Sequence, residues 1–76
     1  MTEIEWLDIF ADNLTSLMGD RGYSQNDLAE ETGLDKATIS RYLNRLRVPS
    51  VKSIINLAYT LNCDISELID FGDTIE

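Results

Sequence analysis

The sequence has no histidine, one cysteine, one proline and four glycines in 76 residues. Without histidine, the commonest general base and metal ligand is missing, so His-dependent catalysis is excluded and a zinc site lacks its usual ligands. The lone cysteine, Cys63, cannot form an internal disulfide and has no base partner, which fits a reducing compartment. No apolar run approaches the roughly 18 residues of a membrane span. No stretch alternates with period two, so strands are not expected. Repeats, low-complexity runs and a glycine-rich phosphate loop are also missing. The opening MTEIEWLDIF is acidic and lacks the basic segment that begins a signal peptide. These absences lead to an expectation of one soluble, cytoplasmic, all-α domain over residues 1–76, with its core at about 4–70 and a frayed tail at 71–76. It is expected to be no enzyme and to take no cofactor, metal or small-molecule ligand.

Cations are scarce in total but not locally. Six Lys and Arg stand against fourteen Asp and Glu, for a net charge of -8. Residues 1–35 carry nine acids and only Arg21. Residues 36–52 carry Lys36, Arg41, Arg45, Arg47 and Lys52 with no acid, a local charge of +5. Residues 53–76 carry five acids and no base. A solvated helix normally mixes signs, so this window reads as a footprint for a polyanion. The acidic remainder would repel both bulk DNA and anionic lipid, which argues against a membrane role.

Helical periodicity organises the chain. Ile4, Leu7, Ala11, Leu14 and Met18, with Phe10 and Leu17 beside them, predict a first helix from Glu3 to about Met18, ended by Gly19 and Gly22. Asp8, Asp12 and Asn13 fall on its other faces. Ser24 is a good N-cap for a second helix, with Asp27 in capping-box position and Leu28, Ala29 and Thr32 facing inward. Gly33 stops it. Asp35 then caps a third helix over Lys36–Asn44, with Ile39, Tyr42 and Leu43 on the core side and Lys36, Ala37, Ser40 and Arg41 outside. Ser50 caps a fourth, whose apolar side is Val51, Ile54, Ile55, Leu57, Ala58 and Leu61, with Asn62 as its stop. Asp64 and Glu67 form a box for a fifth, which carries Ile65, Leu68 and Ile69.

The second and third helices, joined by a tight turn at Gly33, have the layout of a helix-turn-helix that reads DNA. Ala29 keeps the crossing point small, and Gly33 supplies a turn that a Cβ would disfavour. Ile39 and Tyr42 anchor the third helix from beneath. The run SQNDLAEETGLDKATISRYLN, the later Pro49 and the segment LNCDISELI resemble the Cro-like, XRE-type helix-turn-helix family that includes phage repressors. The likeness covers about residues 8–70. It implies a five-helix, lambda-repressor-like domain that binds double-stranded operator DNA, commonly as a homodimer on a palindromic site.

By position, the resemblance puts Gln25 on a phosphate at the start of the second helix. It puts Lys36, Ala37, Ser40 and Arg41 toward base edges, and Asn44, Arg45 and Arg47 on the DNA backbone. The chemistry of the side chains agrees. Arg41 suits a bidentate pair with guanine O6 and N7, and Lys36 suits the same edge or a phosphate. Ala37 or the Thr38 methyl can meet a thymine methyl, and Thr38 is also grouped with the backbone contacts. Arg45, Arg47 and Lys52 suit phosphates, for at most about five such charges per subunit. The chain departs from the family at Arg45, where glycine often follows the Asn that ends the recognition helix. Either Asn44 takes the left-handed conformation or the helix runs on for a turn.

Blander readings stand beside these. Gln25 can be a solvated helix residue, and Arg41 can pair with Glu30 or Glu31. Trp6, which with Ile4 and Ile9 extends the apolar surface of the first helix beyond one stripe, either covers the edge of the core or forms a subunit contact, and Ile69, Phe71 and Ile75 raise the same alternative at the other end. Cys63 is expected buried and inert. The rival function is a protein-interaction module of antitoxin or adaptor type, with the acidic first helix and the last helix as its partner surface. Against it stands a transcriptional repressor, and with 76 residues control would come from dimerisation, a partner or protein level rather than a ligand-sensing domain.

Overall fold

The computed structural model describes residues 3–69. They form five helices: α1 (Glu3–Arg21), α2 (Gln25–Thr32), α3 (Lys36–Leu43), α4 (Val51–Leu61) and α5 (Ile65–Ile69). No strand occurs among the described residues. The expectations for the Ile4 side chain, Phe71, Ile75 and the tail lie outside them. Helix α1 packs against α3, α4 and α5, while α2 packs against α3 and α4.

The apolar stripe of α1 is buried as the spacing requires, with Leu7, Phe10, Ala11, Leu14, Leu17 and Met18 in the core. The helix does not stop at Gly19. Glycine inside a helix costs only about 1 kcal/mol, so α1 continues to Arg21. It ends at Gly22, whose φ is 71°. There the Tyr23 amide donates to the Met18 carbonyl at 2.9 Å and the Gly22 amide to Gly19 at 3.3 Å, the paired closure of a Schellman motif.

Helix α2 opens with a complete capping box. The Ser24 hydroxyl accepts from the Asp27 amide and the Asp27 carboxylate accepts from the Ser24 amide, both at 3.1 Å. The Ser24 amide, and then its hydroxyl, hold the Asp27 carboxyl below its ordinary range. That contribution to stability is therefore present above the ordinary carboxylate value and lost as pH falls through the lowered one. At the other end Gly33 has a φ of 76° and donates to the Ala29 carbonyl at 2.9 Å. A Cβ there would meet nothing within 4 Å, so backbone conformation alone calls for glycine. The Thr32 carbonyl is satisfied from α4 by the Asn56 side-chain amide at 2.8 Å, a tie that the sequence pattern did not reveal.

Further expectations are corrected. Asp35 occupies the N-cap of α3 with extended backbone but makes no side-chain cap bond. On α4, Ser50 caps as expected, accepting from Ser53 at 3.1 Å, and Ile54, Leu57, Ala58 and Leu61 are buried. Val51 and Ile55, however, are 73% and 50% exposed, in one row with Tyr59 at 86%. The buried stripe is narrower than the apolar sequence, and residues 51, 55 and 59 form a second row at four-residue steps that faces solvent. Asn62 ends α4 in the left-handed conformation, φ 54°. Glu67 accepts from the Asp64 amide at 2.9 Å, giving half of the expected box. Leu68 is fully buried, Ile69 packs at the edge of the core and Ile65 is exposed. Asn13, placed by the periodicity on a non-core face, donates to the Leu68 carbonyl at 2.9 Å and ties α1 to α5.

Phe10 lies at the centre of the aromatic packing. Trp6 stacks on it with ring centroids 5.7 Å apart, and Tyr42 of α3 meets it edge-on at 5.9 Å. Trp6 thus covers the edge of the core. Replacing Phe10 by Ala should remove about 3–5 kcal/mol, comparable to all that a core of this size supplies. Circular dichroism at 25 °C is expected to show the Phe10→Ala chain largely unfolded.

Candidate nucleic-acid interface

Helix α3 is held from beneath by Ile39 and Tyr42, with 0% and 2% exposure. Lys36, Ala37 and Arg41 are exposed and Ser40 and Thr38 are half-buried. Steps of one, three and four residues bring Lys36, Ala37, Ser40 and Arg41 onto one outward face. Gln25, half-buried at the start of α2, lines a shallow depression with Ser24, Asn26 and Lys36, so two of the candidate residues border one depression across the helix pair. Arg47 and Lys52 are exposed beyond α3. Asn44, exposed, folds its side-chain amide back along α3, donating to the Ser40 carbonyl at 2.8 Å and the Ser40 hydroxyl at 3.3 Å. It secures the end of the helix.

Arg41 makes no ion pair with Glu30 or Glu31. Glu31 instead accepts from the Tyr23 hydroxyl at 3.3 Å, and that hydroxyl also donates to the Thr60 carbonyl at 3.4 Å. Burial, then the Glu31 charge, raises the Tyr23 pKa, so Tyr23 remains a donor at neutral pH. Of the five cations between 36 and 52, only Arg45 is ion-paired among the described residues. Lys36, Arg41, Arg47 and Lys52 keep their charge toward solvent.

Arg45 is where the sequence reading needs most correction. Asn44 is not left-handed, at φ −94° and ψ 10°, and the helix does not run on. Arg45 itself takes the left-handed conformation, φ 61°. The Leu46 amide donates to the Arg41 carbonyl at 2.8 Å and the Arg45 amide to Tyr42 at 3.3 Å, the same closure that Gly22 gives α1. The apolar contact that often accompanies this motif is missing, because its partner position is Arg41, and Leu46 is 74% exposed. A side chain in this conformation costs about 1–2 kcal/mol. The guanidinium, expected on a phosphate, is engaged within the chain. Its Nε donates to the Asp8 carboxylate at 2.6 Å, its Nη2 donates to the Asp12 carboxylate, and its Nη1 donates to the Leu43 carbonyl at 3.3 Å. Asp8 and Asp12, one turn apart on α1, were the available sequence signal for an arginine partner.

Away from this face, Cys63 is half-buried rather than buried, beside an open depression lined by Tyr59, Asn62 and Glu67. Burial first, and then Glu67, pushes its thiol up, so it stays protonated at neutral pH. No cluster of acidic or Cys side chains suited to a metal ion occurs among the described residues. None of their helices is long and apolar enough to cross a membrane.

The model of the Cro/C1-type HTH DNA-binding domain matches residues 13–73. The chain belongs to this family: it is a DNA-binding helix-turn-helix protein of the kind used in transcriptional regulation. Among solved structures it is similar to the restriction-modification controller protein C.AhdI from Aeromonas hydrophila, at 32% identity and a TM-score of 0.78, over 82% of this chain and 94% of that one. The SOS-response transcriptional repressor LexA from Eubacterium rectale shares the fold at 22% identity and a TM-score of 0.83, over 100% of this chain and 80% of that one. No curated protein matches the sequence.

The opposing costs at Arg45 make a stability prediction. Arg45→Gly relieves the left-handed backbone while losing two solvent-exposed ion pairs worth about 0–1 kcal/mol each. Its urea-unfolding free energy should stay within about 1 kcal/mol of wild type. Arg45→Ala loses the pairs and keeps the strain, so it should be the less stable of the two. Equal values would show that the backbone conformation is not what decides stability there.

Proposed function

We propose that this chain is a sequence-specific repressor that binds a palindromic operator as a homodimer, with α3 of each subunit in the major groove. The observation that carries this reading is the outer face of α3. Lys36 and Arg41 stand there without ion pairs on a chain whose net charge is -8. Arg41 reads guanine O6 and N7, Lys36 reads a neighbouring edge, and Ala37 and Ser40 fill the remaining approach to the bases. Gln25, Thr38, Arg47 and Lys52 hold phosphates and set the register, and Asn44 braces the end of α3. The chain acts as one domain in the cytoplasm.

The dimer contact is best supplied by Val51, Ile55 and Tyr59 on α4. This row is exposed and uncharged, so two strongly acidic copies repel each other least there. Trp6, the earlier candidate, is occupied by its stack on Phe10. Ile55→Glu should convert a dimer into a folded monomer in sedimentation analysis; an unchanged dimer would place the contact elsewhere.

Selection of bound sequences from a random DNA pool tests the main reading. Wild type is expected to select a two-fold symmetric site. Arg41→Ala should lose its preference at one base pair per half-site, a loss of about 1–3 kcal/mol of discrimination. With four unpaired cations per subunit, the dependence of log affinity on log salt should be no steeper than about −3.6 per subunit. An Arg41→Ala protein that keeps the wild-type preference would refute the assignment.

A further inference from the structure

We propose that Asp8 and Asp12 on α1 act as an internal stand-in for a DNA phosphate, holding Arg45 until a duplex phosphate displaces them. The proposal rests on the DNA-binding reading above and adds an autoinhibitory contact to it. A guanidinium that donates from two nitrogens to two carboxylates makes the type of contact it makes with a phosphate diester. Arg45 lies between Arg41 and Arg47, both unpaired, in the loop that leaves the recognition helix. The side chains of Arg45, Asp8 and Asp12 are 41%, 52% and 73% exposed, so water already screens the pairs and a polyanion can compete for the arginine.

The backbone is arranged so that exchange needs no refolding. The turn at 44–46 is closed by its own amides on Arg41 and Tyr42 and by Asn44 on Ser40, none of which involves the Arg45 side chain. Release breaks only bonds of that side chain, those to Asp8 and Asp12 and the 3.3 Å bond from Nη1 to the Leu43 carbonyl. Arginine also occupies a left-handed position that glycine takes without strain, so the guanidinium stands here at a conformational cost. Electrostatics then fixes the sign of the effect. When Arg45 moves to a phosphate, two carboxylates are uncovered beside the DNA, and the cations they recruit offset those released from the duplex. Arg45 therefore adds little to the salt slope while Asp8 and Asp12 are charged. With both neutralised, it adds a full phosphate contact.

The test uses the duplex selected for wild type and measures affinity between 50 and 200 mM salt. Asp8→Asn with Asp12→Asn is expected to bind several-fold more tightly at low salt, with a slope steeper by about 0.9 per subunit. The same pair in an Arg45→Gly background should leave the slope unchanged. A charge-matched control, Asp20→Asn with Glu30→Gln on exposed positions away from Arg45, should also leave it unchanged. Circular dichroism checks that every variant is folded. Weaker binding by the Asp8/Asp12 variant, an unchanged slope, or an equal increment in the Arg45→Gly background would each overturn the proposal. Failure of wild type to select or bind any duplex would overturn the DNA-binding reading itself.

Discussion

Burial of the α1 stripe is the interaction on which the other helices depend. Helix α1 is the longest element and contacts three of the other four. Its Phe10 ring meets Tyr42 edge-on, so the recognition helix is positioned by the same side chain that fills the centre of the core. Helix α2 packs along α3 and α4 rather than along α1. Its own fastening is the Leu28 side chain, packed in the core, and the Asn56 bond to the Thr32 carbonyl. In a chain this short no second core can take over if the first is lost.

Charge is divided by task along the same framework. Several carboxylates have local work: Asp27 caps α2, Glu67 accepts from the amide before α5, and Asp8 and Asp12 engage Arg45. Others form an acidic exterior that disfavours loose association with any polyanion. Four cations without ion pairs remain on and beyond α3, so positive charge is concentrated on the side of the molecule proposed above to meet DNA.

Much of the fold was legible because it depends on local rules. Serine caps, the glycine at position 33 and the three- and four-residue spacing of Leu7, Phe10, Leu14 and Leu17 each act within a few residues of themselves. What escaped the sequence depends on distance in the chain. Asn13 and Asn56 look like ordinary polar helix residues until α5 and the end of α2 are placed beside them. Val51 and Ile55 look like core because an apolar residue does not declare which neighbour, if any, will cover it. Arg45 was identified as an anomaly, but its resolution required α1, thirty-odd positions earlier. The outer face of α3 was legible in composition and arrangement. The commitment of one of its neighbouring cations to α1 was not.

The side chains at the front of α3 carry little of the mechanical burden of the domain. Ile39 and Tyr42 anchor the helix from behind, while Lys36, Ala37 and Arg41 project outward and make no side-chain hydrogen bond or ion pair among the described residues. Such a surface is free to drift. Substitutions at those three positions can be sampled with little effect on folding, so under the base-reading role proposed above a duplicated copy could acquire a new recognition sequence in single steps. Ser40 is the exception, since its carbonyl and hydroxyl receive Asn44. Divergence at that position gives up only the 3.3 Å bond to the hydroxyl, because the 2.8 Å bond goes to the backbone carbonyl that any residue there supplies.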